Sequence, residues 1–144
     1  MLLMEDWRSK ALTSFPELEY EITRNQAGPI GLWTDLHSAL ASAYRATPTN
    51  DDLIRRIYDF AAWCFRRPEI GDAETDLSSA AAVGFIESLP LDQRVSGDLY
   101  RWLSVETFEG CKSLFRHHLS EEEYRQLHSD FIRNKKGFTG ASRL

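Results

Sequence analysis

The chain has 144 residues, 42% of them hydrophobic and 12% aromatic, with a formal net charge of −5. That is the length of one domain, with enough apolar material for a core that needs no disulfide or metal staple. The charge is divided. Four of the 17 basic side chains and none of the 22 acids follow Ile132, so residues 1–132 carry −9, a balance that repels nucleic acid and suits basic partners or simple solubility.

Met1-Leu2-Leu3-Met4 is followed at once by Glu5 and Asp6, which is not the pattern of a basic leader and long apolar stretch of a signal peptide. Leu3, Trp7, Ala11 and Phe15 recur every four residues and predict an amphipathic helix ending before Pro16. Pro16 suits the first position of a second helix, from Glu17 to about Asn25. Residues 18–23 also alternate like a strand; the proline start, early glutamates and lack of a partner strand favour helix. After the Ala27–Gly31 loop, Leu32, Leu36, Ala39, Leu40, Ala43 and Tyr44 predict a third helix to Ala46.

The segment from Thr49 to Pro68 is the most sharply bounded. Thr49, Asn50, Asp51 and Asp52 offer capping oxygens and first-turn charge, and Pro68 stops the helix. Its apolar residues, from Leu53 to Phe65, are expected to run nearly all round, as in a central, surrounded helix. Cys64 within it and Cys111 further on read as reduced core residues of a cytoplasmic protein. A polar loop, Glu69 to Asp76, leads into a small-residue helix from Leu77 to about Leu89, expected to let the central helix approach closely. The apolar run Ala80–Ile86 is too short to cross a membrane.

One turn of helix is expected between Pro90 and Gly97, then helices over 98–103 and 105–119. Ser120-Glu121-Glu122-Glu123 has the form of a capping box and opens a last helix to about Asn134. Residues 135–144 read as a flexible basic tail. The expectation is an all-α fold, one multi-helix bundle over 1–134, with irregular armadillo- or HEAT-like stacking of helix pairs as a variant.

Catalytic signatures are sparse. The chain contains no P-loop, G-x-G-x-x-G, G-x-S-x-G or His-Glu-x-x-His pattern. Asp72, Glu74 and Asp76 imitate the opening of a calcium loop, but Leu77 and Val83 occupy the positions that need glycine and glutamate. His117, His118, Glu121, Glu122 and His128 are the densest ligand-capable group, and the first four are the candidate ligands of a metal site. The plainer reading is a solvated turn whose histidines meet the carbonyl end of a helix.

Three segments resemble small all-helical bacterial proteins of unknown function, a group similar to the immunity proteins of polymorphic and contact-dependent toxin systems. They are Phe15–Ile22, Leu53–Phe60 and Ala82–Leu89, and the resemblance spans residues 15–119. It implies a binding protein rather than an enzyme, with another protein, such as a basic toxin domain, as partner and no cofactor. Candidate contacts are Glu69, Asp72, Glu74 and Asp76, with Trp33 or Trp102 as aromatic anchors. A metal-binding protein or enzyme using the histidine cluster, and a self-associating structural protein, are the alternatives. No nucleic acid or membrane partner is expected.

Overall fold

The computed structural model describes residues 2–68 and 76–144. Among these the fold is all-α: α1 (Leu2–Ser14), α2 (Glu19–Arg24), α3 (Pro29–Arg45), α4 (Asp51–Phe65), α5 (Leu77–Gly84), α6 (Gln93–Ser96), α7 (Leu99–Trp102), α8 (Val105–Gly110), α9 (Lys112–Phe115) and α10 (Glu121–Lys136). Short 3-10 segments, Pro16–Leu18 and Ile86–Leu91, join α1 to α2 and α5 to α6. The helices α6–α9 are only four to six residues long, too short for the helix pairs of a stacked repeat.

Residues 18–23 are helical, as the proline start predicts. Ile22 alone in α2 is buried, and the Arg8 guanidinium on α1 donates to the carbonyls of Ile22 and Asn25. The third helix begins at Pro29, three residues before the expected start. Gly28 takes a positive φ of 80° that suits glycine, and Pro29 supplies a preset first helical residue. The Asn25 side chain braces this turn, donating to the Gly28 carbonyl at 3.1 Å and accepting from the Ala27 amide at 2.8 Å.

α4 departs from expectation. Asn50 does cap it, accepting from the Leu53 amide at 3.2 Å. Yet the helix is amphipathic rather than apolar all round. Leu53, Ile54, Ile57, Tyr58, Phe60, Ala61 and Cys64 are buried, whereas Asp52, Arg55, Arg56 and Asp59 form an outward stripe tied by ion pairs. Positions 52, 55, 56 and 59 share one face at helical spacing, so four charged residues suffice to wet that side. Trp63, expected in the core, is only partly buried at its edge.

The small residues of α5 admit α3 first and α4 second. A Cβ at Gly84 would lie 2.7 Å from the Trp33 Cβ on α3, closer than carbon atoms pack. The helix ends there rather than near Leu89, and the chain continues as a 3-10 segment. Around this approach Trp33 stacks on Phe85 (4.7 Å), and Phe85 meets Tyr58 (5.2 Å), which stacks on Trp102 (5.4 Å). A second aromatic group, Phe108 with Phe131 at 4.0 Å and Phe115 at 5.3 Å, fastens α10 to α8 and α9. Each such buried side chain contributes about 1.5–3 kcal/mol relative to exposure.

α10 starts with the full capping box between Ser120 and Glu123. The expected free tail is instead docked. The Arg143 and Leu144 amides both donate to the Trp102 carbonyl (2.8 and 2.9 Å), and the Ser104 amide donates back to Leu144 (2.9 Å). Lys135 closes the arrangement by donating to the carbonyls of Tyr100 (2.9 Å) and Leu103 (2.8 Å) and to Ser142 Oγ (2.8 Å). No helix among the described residues is long and apolar enough to cross a membrane.

Candidate protein-binding surface

The contacts expected from sequence scatter when placed on the fold. Glu69, Asp72 and Glu74 lie outside the described residues. Asp76 is wholly buried, and its carboxylate caps α5 by accepting from the Ser79 amide at 3.0 Å and the Ser79 hydroxyl at 2.6 Å. It is a structural group, not a surface contact.

Neither tryptophan anchor reaches solvent. Trp33 is 1% exposed, because the first turns of α3 point it into the α3–α5 approach. Trp102 is 6% exposed, and its indole donates to Asp98 Oδ2 at 3.2 Å. The Tyr44 hydroxyl donates to the same oxygen at 2.6 Å, and Arg101 links Asp98 to Asp51 at the start of α4. Burial and the neighbouring Tyr58 and Asp98 push the Tyr44 hydroxyl far above its ordinary pKa, so it is a permanent donor tying α3, α4 and α7 together.

The histidine cluster also resolves differently. His118 and His117 both face one carboxylate oxygen of Glu87, at 3.2 and 3.7 Å, while Glu121 pairs with Arg116 and Glu122 is exposed. His128 turns to Glu109 at 2.9 Å. Glu121 and Glu122 therefore do not join His117 and His118. Among the described residues no group of three or more His, Cys, Asp or Glu side chains is arranged to hold a metal ion. Both cysteines are free thiols. Burial pushes Cys64 up to about 12 and raises Cys111, which keeps them protonated and weakly nucleophilic.

The surface with the composition expected of a contact lies elsewhere, on α2. Tyr20 is 67% exposed, the largest exposure among the big hydrophobic side chains of the described residues. Glu17, Glu19 and Glu21 surround it and are exposed. Asp35 comes close from α3: partial burial raises its pKa first, and the negative charge of Glu21 raises it further. Arg56 occupies Glu17 with two contacts of 2.6 and 2.8 Å, and the Arg24 guanidinium lies 5.0 Å from the Tyr20 ring. Among the described residues no ion pair engages Glu19, Glu21 or Asp35.

Local geometry explains the display. Leu18 and Ile22 are four apart and turn towards the core, which sends residues 19–21 outward on so short a helix. The signal was present in Leu18-Glu19-Tyr20-Glu21-Ile22: once this segment is a helix, a tyrosine midway between the inward residues cannot share their face. The comparisons add no relative from which a role could be transferred, since no protein-family model, curated protein or solved structure matches the chain.

Proposed function

We propose that this protein is a protein-binding module that neutralises or regulates a basic partner by covering it, in the manner of a cytoplasmic immunity protein acting on its cognate toxin. The observation that carries the reading is the solvent-facing Tyr20 between the exposed Glu19 and Glu21, with the half-buried Asp35 of α3 near Glu21. An exposed aromatic ring supplies large contact area at low entropy cost, and uncompensated carboxylates steer a cationic partner towards it. The −9 charge of residues 1–132 extends the same field. Residues 15–22, one of the segments that resemble small helical proteins similar to immunity proteins, carry Glu19, Tyr20 and Glu21 of this surface.

The contact surface is thus α2 with the adjoining part of α3, in place of the tryptophans named from sequence. Occlusion asks only for affinity and coverage, so no residue of this chain need act chemically. The reading is tested by co-expressing the chain with the product of the gene beside its own. Growth rescue by the wild type and loss of rescue in Tyr20→Ala/Glu19→Lys/Glu21→Lys, at equal expression and melting temperature, is the expected result. Equal rescue by both chains would remove α2 from the contact, and absence of toxicity in the neighbour would remove the immunity role.

A further inference from the structure

The outward face of α10 is charged in a way that matches itself. Glu121 stands at its first turn, Arg125 one turn on, His128 and Ser129 at mid-length, Ile132 one turn further and Lys136 at its last turn. These positions recur at three- and four-residue intervals and therefore share a stripe. Two hollows of about 350 and 420 Å³ meet along it, both lined by Arg125 and His128. Arg125 and Lys136 are exposed, and among the described residues neither is in an ion pair.

We infer that this face pairs with the same face of a second copy, the two α10 helices lying antiparallel about a two-fold axis between His128 and Ser129. In that register Glu121 meets the other copy's Lys136 at both ends, and the aliphatic stem of Arg125 lies across the other copy's Ile132. Ser129 and His128, the latter held by Glu109 at 2.9 Å, sit on the axis where the helices come closest. Antiparallel macrodipoles add to the attraction, whereas a parallel pairing would set Glu121 on Glu121 and Lys136 on Lys136. Glu121 already touches Arg116, so at each end the carboxylate is shared between an intramolecular and an intermolecular cation. One helix pair buries less than a standard interface, and the dimer is accordingly weak and concentration-dependent.

Sedimentation equilibrium of the wild type, Lys136→Glu, Glu121→Lys and an equimolar mixture of the two variants tests this at concentrations up to about 1 mM. The wild type is expected to dimerise and each single variant to weaken the dimer by at least about tenfold, because both ends become repulsive. The mixture should recover association, since one chain then carries a carboxylate at both ends of the stripe and the other an ammonium at both. Should Glu121→Lys unfold α10, Ser129→Cys serves in its place. Mild oxidation should cross-link it near the axis and should fail to do so when Lys136→Glu is added. A wild type that stays monomeric, single variants that dimerise like the wild type, or a mixture that recovers nothing would each overturn the proposal. This interface uses none of the α2 residues, so its failure would leave the heterologous contact standing.

Discussion

Gly84→Ala is the sharpest probe of how the core is assembled. The added Cβ would lie 2.7 Å from Trp33 Cβ and 3.3 Å from Trp33 Cγ, against an optimal carbon separation of about 3.5–4.0 Å. Trp33 Cβ is fixed to the α3 backbone, so no rotamer change relieves the overlap. The helices must part, loosening the Trp33–Phe85 stack. Overpacking of this kind costs about 1–3 kcal/mol, offset by up to about 1 kcal/mol of helix propensity gained with alanine. The expected net loss is about 1–2 kcal/mol, read as a urea midpoint lowered by about 0.5–1 M and a melting temperature lowered by roughly 4 °C. Gly110→Ala is the control, because nothing lies within 4 Å of its added Cβ, and it should be neutral or stabilising. A Gly84→Ala protein as stable as the wild type would refute the close α3–α5 approach.

Further outcomes follow from single groups. Lys135→Met should loosen the docked C-terminal segment, because Ser142 and the carbonyls of Tyr100 and Leu103 lose the ammonium that links them; amide exchange at Arg143 and Leu144 should accelerate while that of α3 does not. His37 Nε2 is buried without a hydrogen-bond partner, and burial holds the imidazole pKa below 6.5 despite an opposing contact with the Phe85 backbone. Protonation therefore favours the unfolded chain, and this contribution, full above about pH 6.5, is lost as pH falls below it. His37→Phe should lose less stability between pH 7.5 and 5.5 than the wild type, and an equal loss would clear His37 of the effect. Arg56 holds the Glu17 carboxyl below 4.5, chiefly through their hydrogen bonds. That stability is present above about pH 4.5 and fades as pH falls through the lowered value. Arg56→Gln should cost up to about 1 kcal/mol at pH 7, since the pair is partly solvated, and should flatten the acid limb of the unfolding curve.

The features legible in the sequence were those set by neighbours within a few residues. The Asn50 cap, the Ser120–Glu123 capping box and the Pro16 break all depend on local backbone geometry, and each stands where the pattern placed it. The burial of Trp33 and Trp102 was not legible, because it depends on α5 packing against Trp33 and α4 against Trp102 from distant parts of the chain. The docked tail was hidden for another reason: its anchors are main-chain groups of Trp102 and Ser104, which no side-chain pattern announces. For α4, counting apolar residues obscured that Asp52, Arg55, Arg56 and Asp59 fall on one face. The α2 surface was half legible, since its composition was visible but its direction waited on the choice between strand and helix.

Association kinetics of this protein with the purified product of the neighbouring gene decide whether α2 is a contact surface. A contact through α2 requires an association rate that falls steeply between low and high salt, and that drops at low salt when Glu19 and Glu21 become lysines, with Tyr20→Ala acting mainly on dissociation. A rate that is flat in salt and indifferent to both glutamates would contradict it.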